Sequence, residues 1–285
     1  MSSGSVQYFS TDFNFEEHCT SLQDSVLPPI TKSVLESATL SISEEGTCST
    51  FFSDNWDSFY ARNKSTYQMR RYLVAEFGPY LLHKDCEEED YSLKIVEVGC
   101  GHGSSAFALM QALPEDKVSC YTATDFSAVS IEMLNSHKLT TSVPAEKVNK
   151  IDTAIWDITK ETILSQKYNI CLCVFTLSAI APQFHRNSIQ NISTHIEPNG
   201  IVLFRDYAIC DMTMYRHKTR LLENLFQRDD NTLCYYFTKE YLHELFTSAG
   251  FTVMELDYCC INNVNRKTGQ TLKRVFIHSV CKKTM

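Results

Sequence analysis

The residues with the clearest chemical content form the run Glu97-Val98-Gly99-Cys100-Gly101-His102-Gly103. Three glycines at alternate positions let the backbone turn sharply and let a ligand lie against it with no Cβ in the way. The run follows an apolar stretch over 93–98 (LKIVEV) and precedes a helical one over 104–113. A glycine-rich turn between strand and helix is a nucleotide-type cradle at the C-terminal edge of a sheet. An acid stands at the tip of each of the next two predicted strands, Asp125 in TATDFS and Asp157 in AIWDIT. Such an acid either accepts from a ligand's hydroxyls or caps the helix that follows. Glycine loop, Asp125 and Asp157 in order at successive strand ends favour the ligand. His102 reads as a loop residue without a chemical role.

Two cofactor classes use loops of this kind. Gly101-x-Gly103-x-x-Ala106 satisfies the dinucleotide fingerprint G-x-G-x-x-A. Three features point instead to S-adenosylmethionine. The glycines begin one turn earlier, as E-x-G-x-G-x-G with Glu97 at the strand end. Asp125 stands where ribose hydroxyls are held. Asp157 supplies a third acid, which a dinucleotide enzyme does not need. A nicotinamide enzyme stays as an alternative, although the chain offers it no evident proton-transfer group.

Around the loop, apolar runs alternate with helical ones. Strands are expected over 93–98, 118–124, 149–156, 168–175 and 201–207, and helices over 104–113, 129–137 and 183–195. Glu197-Pro198-Asn199-Gly200 is a turn signal. Such alternation predicts a mostly parallel sheet with helices on both faces. A capped helix over 238–249 then leads to strands over 251–261 and 273–281, whose link, NNVNRKTGQT, is too short for a crossover and implies an antiparallel pair. Upstream, Trp56, Phe59, Tyr60, Tyr67, Tyr72, Phe77 and Tyr80 recur at helical spacing. The expected organisation is a flexible polar tail over 1–46 and one domain over 47–285. That domain carries an N-terminal helical cap over about 54–83 and an insertion over about 208–237. Within the tail, 29–40 is compatible with a short helix.

Composition narrows the class. The 285 residues are 44% hydrophobic and 21% charged, enough for one large domain. No apolar run reaches membrane-spanning length, and no membrane partner is expected. The first basic residue is Lys32 and the first arginine Arg62. Neither a secretory nor a mitochondrial leader looks like that, so the cytosol or nucleus is expected. The 12 cysteines lack zinc-ligand spacing, so no metal is expected and the thiols read as reduced and mostly buried. Net charge is −8, which argues against sequence-blind nucleic-acid binding by the whole surface. From Arg205 onward, however, 12 Lys and Arg face 9 Asp and Glu, making the last third the better place for an anionic partner.

A second group of motifs is more distinctive. FTLSAIAPQF from Phe175, IEPNGIVLFRDYAICDMTM, and ENLFQRDDNTLCYYFT join WDSFYARN at Trp56, ATDFS at Ala123 and the terminal RVFIHS. Together they resemble the eukaryotic tRNA 3-methylcytidine methyltransferases of the methyltransferase-like group, which modify cytidine 32 of the anticodon loop. The resemblance spans Trp56 to about Lys283. The FRDY and QRD blocks are quite specific to that family; the glycine loop is specific only to the class.

The resemblance implies an α/β, Rossmann-like, class I methyltransferase fold, with a mostly parallel seven-stranded sheet ending in an antiparallel pair. It implies S-adenosylmethionine as cofactor and tRNA as substrate. Trp56 and Tyr60 would lie over the cofactor. Glu97, Gly99, Gly101 and Gly103 would cradle it, Gly99 at its methionine part. Asp125 would hold the ribose with Phe126 alongside, Asp157 and Ile158 the adenine, and Val174 or Phe175 would line the site. Arg205 and Asp206 would be catalytic, facing the target base with Arg228. Arg62, Arg71, Arg216, Arg220 and Arg228 would meet the tRNA. The chain is expected to be a monomer by itself, with seryl-tRNA synthetase or another tRNA-presenting protein as helper. Two places depart from the family. Its Arg-His-Trp ending is here Arg71-Tyr72-Leu73, and its Gln-Asp-Gly-Thr is Asp229-Asp230-Asn231-Thr232.

The chemistry needs no nucleophile–base pair, because N3 of neutral cytosine carries its own lone pair. Alignment for in-line transfer and stabilisation of a base that becomes cationic are enough. Asp206 suits the second task, unless it serves as a strand-end partner of Arg205. Alternatives are a methyltransferase for a protein or small molecule, which would not need the Arg205/Arg228 cluster, and a non-catalytic partner subunit of the same fold.

Overall fold

The computed structural model describes residues 11–31, 47–63, 68–82, 92–161, 164–264 and 269–284. At its centre runs β1 (Leu93–Val98), whose six residues send alternate side chains to opposite faces. Leu93 and Ile95 join one apolar cluster, Val96 and Val98 the other. Burial on both faces is why the run is continuously apolar. Beside it lie β2 (Val118–Asp125), β3 (Ile151–Ile155), β4 (Tyr168–Val174) and β5 (Ile196–Tyr207), all parallel. Two long strands, β9 (Phe251–Val264) and β10 (Thr271–Lys283), form the expected antiparallel pair. The order is β3-β2-β1-β4-β5-β10-β9, with β10 antiparallel to β5. That is the class I methyltransferase sheet the resemblance implied.

Helices cover both faces. On one lie α2 (Thr47–Arg62), α3 (Tyr72–Leu81), α4 (Ser104–Ala112), α5 (Ala128–Lys138) and the short α6 (Ala145–Val148). Leu73 and Phe77 of α3, Phe107 of α4 and Leu134 of α5 pack there against Leu172 and Leu203. On the other lie α7 (His185–His195) and α8 (Lys239–Ser248), whose Ile189, Ile192, Leu242 and Phe246 meet Cys171, Cys173 and Phe204. Thr238 caps α8 by accepting from Tyr241 N at 3.1 Å.

Three local expectations need correction. The turn signal at 197–200 lies inside β5: Asn199 takes φ +65° and the pairing with β4 jumps from Tyr168↔Ile196 to Ile170↔Ile201, so the turn became a bulge. The aromatic pattern over 56–82 is split into α2 and α3, with Tyr67 outside the described residues. Residues 11–31 are a docked strap rather than a loose tail. Helix α1 (Phe15–Ser21) is capped by Asn14; Asp12 N donates to Cys260 O at 2.9 Å, and Phe15 stacks on Tyr258 at 3.9 Å. The strap covers part of the edge strand β9, taking one backbone bond at Cys260 and accepting from Asn262 N through Asp12 Oδ2. Ile30 forms an extended bridge with Arg220, so the suggested helix does not begin at 29; its remainder lies outside the described residues.

Cys19 of the strap is disulfide-bonded to Cys210, against the expectation of free thiols throughout. The fold brings their Cα atoms to 5.6 Å across a separation of 191 residues, a proximity no spacing rule reveals. The free cysteines among the described residues are buried, apart from the partly exposed Cys120. Between β5 and α8, residues 208–237 carry a small antiparallel sheet of β6 (Thr219–Arg220), β7 (Leu225–Gln227) and β8 (Leu233–Tyr235). Asn231 takes φ +66°, the left-handed geometry that its replacement of a glycine requires.

Candidate active site at the C-terminal sheet edge

The glycine loop leaves β1 at Val98 and enters α4 at Ser104. Gly99 sits at φ +66°, and a Cβ there would fall 2.3 Å from Thr176 Oγ1. That hydroxyl donates to Val98 O at 2.9 Å and ties the loop after β4 to the end of β1. Only glycine satisfies both the backbone angle and this approach. A Cβ on Gly101 would lie 3.2 Å from the Tyr60 hydroxyl, so that residue is crowded by the helix lying over it. The loop is thus a cradle with no side chains on the faces that Thr176 and Tyr60 close.

Asp125 ends β2 and is 2% exposed. Its Oδ2 accepts from Gly101 N at 2.9 Å and its Oδ1 from Ser127 N at 3.0 Å. Burial pushes its carboxyl up to about 6, partly offset by those two amides. Each oxygen retains a second lone pair, which suits a ligand's vicinal hydroxyls. Ser127, the N-cap of α5, also donates to Asp57 of α2. Tyr60 is buried and meets His102 edge-on at 4.8 Å, while the ring of Trp56 lies 5.7 Å from that of Tyr60. The cap helix α2 therefore roofs the loop with the two aromatic residues singled out from the sequence. Phe126 is partly buried after β2.

Glu97 is buried one position before the end of β1 and accepts from Tyr121 Oη at 2.7 Å. Burial pushes its carboxyl up to about 7. Asp157 is half-buried and accepts from Thr159 N at 3.0 Å and Thr159 Oγ1 at 2.6 Å, with Lys160 3.3 Å away. It caps its own turn, with buried Ile158 next to it in the core.

Beyond the loop, β4 ends at buried Val174, and Phe175 follows at φ +56°, an uncommon angle for a bulky residue. Phe175 forms one wall of a 330 Å³ cleft, together with Tyr72, Tyr207, Phe276 and the guanidinium groups of Arg205 and Arg274. Arg205 is 2% exposed and lies 4.6 Å from the Phe276 ring centroid and 5.2 Å from that of Tyr72. Its Nη1 donates to Glu76 Oε1 at 2.7 Å. It is not the partner of Asp206, because neighbours along a strand point to opposite faces. Asp206 is fully buried; Ser178 N donates to its Oδ2 and Tyr207 N to its Oδ1, both at 2.9 Å. Burial pushes it up to about 6.

The expected RNA-facing arginines separate into two kinds. Arg62, Arg71 and Arg216 are exposed. Arg220 spends its side chain on the carbonyls of Leu222 and Glu223 and lies 5.9 Å from the Phe226 ring centroid. Arg228 packs over Tyr207 at 5.4 Å and donates to Cys234 Sγ at 3.4 Å, so it belongs to the wall near Asp206 rather than to an outer phosphate surface. Exposed Lys218 is paired with Asp229 at 3.0 Å. The insertion is less cationic outward than its sequence suggested.

Sequence reasoning missed three residues. Arg70, next to the chosen Arg71, is the one that turns inward: its Nη1 donates to Ser105 Oγ at 3.1 Å and Val174 O at 3.4 Å, and its guanidinium lies 5.3 Å from the Phe175 ring centroid. Arg274 is held by Asp211 at 2.8 Å in the cleft wall, and Glu76 holds Arg205. Arg274 was visible as the first residue of RVFIHS. Nothing local marks Glu76, whose partner is 129 positions away.

Comparison with known proteins agrees with this geometry. A family model described as "Methyltransferase domain" matches residues 66–256. The human tRNA N(3)-cytidine methyltransferase METTL6 is 33% identical over 203 residues, covering 69% of this chain and 68% of the human protein. The fission yeast tRNA N(3)-methylcytidine methyltransferase trm141 is 32% identical over 226 residues, covering 76% and 86%. Among solved structures, a SAM-dependent methyltransferase from Anabaena variabilis superposes with a TM-score of 0.58 at 12% identity, covering 81% of this chain and 94% of that one. At that identity the likeness concerns the fold.

The buried Glu97 carboxyl makes stability depend on pH. Its value is about 7 in the fold against an ordinary 4.5, so the folded state binds more protons between those limits. Its contribution is most favourable below about 4.5 and is lost as pH rises through 7. Glu97→Gln removes this titration. Melting temperatures measured from pH 5 to pH 8 are expected to fall in the wild type relative to the variant; parallel profiles would mean that Glu97 is not desolvated as described.

Proposed function

The chain belongs to the tRNA N(3)-cytidine methyltransferases, and from that premise we propose that it methylates N3 of cytidine 32 in the anticodon loop, with the cleft beside Phe175 receiving the flipped base. It is an S-adenosylmethionine-dependent enzyme that forms 3-methylcytidine in tRNA. The observation that carries the finer reading is the position of the cleft. Phe175 is shared between its wall and the end of β4, one residue from the Thr176 that packs on Gly99. A base in the cleft thus lies beside the cradle that fits the cofactor.

The cofactor supplies an electrophilic methyl group on a sulfonium. The protein's residues supply the rest. Asp125 would accept from the ribose hydroxyls, Gly99 would let the methionine portion lie against the backbone, and Trp56 and Tyr60 would close the roof. Asp157 and Ile158 border the adenine. Arg70, half-buried beside Val174, is the cation available for the methionine carboxylate. In the cleft, Phe175, Tyr207 and Phe276 stack on the flat base and exclude water. With the cofactor bound, N3 would take the methyl with its own lone pair as the methyl–sulfur bond breaks and leaves a neutral thioether, so no base need remove a proton before transfer. The ring then carries positive charge and its exocyclic amine becomes a stronger donor. Asp206, buried behind the cleft wall and held by two backbone amides, would offset that charge through its field rather than by contact with the base. Burial raises its carboxyl to about 6, opposed first by the Ser178 hydrogen bonds, then by the Tyr207 amide and Arg228, so it stays ionised at neutral pH.

Methylation of tRNA anticodon stem-loops carrying cytidine or uridine at position 32, followed by nucleoside mass spectrometry, tests this reading. 3-Methylcytidine is expected at position 32 only. In the same assay Asp206→Asn is expected to lower turnover by about 10²-fold, the scale of losing one charge-stabilising group. Cofactor affinity should stay near wild type. Asp206 holds its carboxyl at about 6, so wild-type turnover should fall as pH drops through 6 while that of the variant stays flat. Near-normal turnover by Asp206→Asn makes the carboxylate structural.

With net charge −8 and most insertion cations already engaged, RNA affinity of the isolated chain should be weak. A tRNA-presenting protein, seryl-tRNA synthetase by family resemblance, would then raise activity. Of the arginines that the resemblance assigns to tRNA, the exposed Arg62, Arg71 and Arg216 are the ones free to meet phosphates. Replacing Arg62, Arg71 and Arg216 together with glutamine should lower the slope of log affinity against log salt by about two to three units. An unchanged slope would place the RNA surface elsewhere.

A further inference from the structure

Behind the cleft lies a chain of polar side chains, buried at Arg205, Glu76 and His278 and ending at the part-exposed Glu255, that the reaction described above does not use. Glu76 of α3 is 4% exposed, Arg205 of β5 2% and His278 of β10 fully buried. One oxygen, Glu76 Oε1, accepts from both Arg205 Nη1 at 2.7 Å and His278 Nδ1 at 2.9 Å. The other ring nitrogen of His278 lies 3.1 Å from Glu255 Oε2, and Tyr80 Oη donates to Glu255 Oε1 at 2.5 Å. Phe77 stacks on the His278 ring at 5.0 Å. Three elements of the fold therefore converge on one guanidinium.

That guanidinium is also fixed face-on, between the rings of Tyr72 and Phe276, so only its edges can meet a ligand. Its Nε–H is buried without a hydrogen-bond partner, and so is Glu76 Oε2. A buried donor left unpaired costs about 1–3 kcal/mol. In a residue lining a cleft, such a donor marks a place where a ligand atom completes the bonding.

We propose that Glu76, joined through His278 to Glu255, is a positioning residue that holds Arg205 edge-on in the cleft, so that its unpaired Nε–H meets the O2 carbonyl of the target cytosine. The inference rests on the cleft being the base site. O2 is bonded to the carbon next to N3, so a donor fixed at O2 orients the nucleophilic nitrogen in the cleft. Glu76 touches neither base nor cofactor and acts only through Arg205.

The test measures kcat and KM for tRNA, cofactor affinity and melting temperature for the full chain carrying Glu76→Gln, His278→Asn, His278→Leu or Arg205→Lys. Glu76→Gln is expected to lower kcat at least tenfold, with tRNA KM and cofactor affinity within threefold of wild type. His278→Asn keeps a donor where Nδ1 lies and His278→Leu does not, so the asparagine variant should retain clearly more kcat. This pair decides the matter if Glu76→Gln fails to fold. Wild-type kcat in Glu76→Gln, or equal kcat in the two His278 variants at equal folded fraction, overturns the proposal. If Arg205→Lys loses turnover while Glu76→Gln does not, the positioning role alone fails. If Arg205→Lys keeps full turnover, the cleft is not the base site and both readings fall.

Discussion

The structure turns on one buried carboxylate. Asp125 accepts from Gly101 N of the glycine loop and from Ser127 N at the start of α5, and so joins β1, β2 and the helix after β2 at one point. A charge at 2% exposure is costly unless its oxygens are bonded. Here two backbone amides satisfy one lone pair on each oxygen, with Ser130 also lowering the carboxyl, and acceptor capacity is left over. The same amide bond holds the loop in the shape that its left-handed glycines permit. In the proposed reading the cofactor's ribose completes the set, so a feature that costs stability in the free protein becomes binding energy when the ligand arrives. Glu97, buried nearby, has its carboxyl pushed up to about 7 by that burial, so a cation bound at this edge would favour its ionised form.

From that edge outward, strand alternation assigns the remaining chemistry. On β5, Arg205 and Asp206 are adjacent in sequence and opposite in space. Arg205 joins Glu76 and His278 on one face, while Asp206 ties the segment after β4 to β5 through Ser178 N. The strained Phe175 sits between the two, held by Arg205 O and overlain by Arg70. The antiparallel β10 contributes Arg274 and Phe276, two positions apart on one face, to the cleft wall, with His278 buried behind it. The cleft exists because β10 inserts beside β5, the feature that separates this sheet from a dinucleotide-binding one.

Much of this was legible in the sequence because it is local. Strand β1 is a continuous apolar run, its loop is a glycine pattern, and Asp125 follows from the next strand's end; each depends on a few consecutive residues. Legibility failed where partners are distant. The Cys19–Cys210 bond spans 191 residues, and Glu76 meets Arg205 over 129. The choice between Arg70 and Arg71 depends on where α3 begins: Arg71 is its N-cap and points outward, while Arg70 N is held by Ser104 O. Cationic residues of the insertion looked like an RNA surface, but a charge count does not say that Arg220 is bonded to its own hairpin. The apparent tail docked because Asp12 and Phe15 find an open sheet edge, which no tail composition records.

The central claim, that Asp125 and the loop it shapes bind the cofactor through its ribose, is tested most directly by calorimetric titration of S-adenosylmethionine into the wild type and Asp125→Asn. Asparagine keeps the shape but replaces one acceptor oxygen with a donor. Losing hydrogen bonds to a charged acceptor costs about 1.5–3 kcal/mol, so affinity should fall about 10- to 100-fold. Unchanged affinity in a folded Asp125→Asn protein would contradict the account, because the cofactor would then be held by something other than this carboxylate.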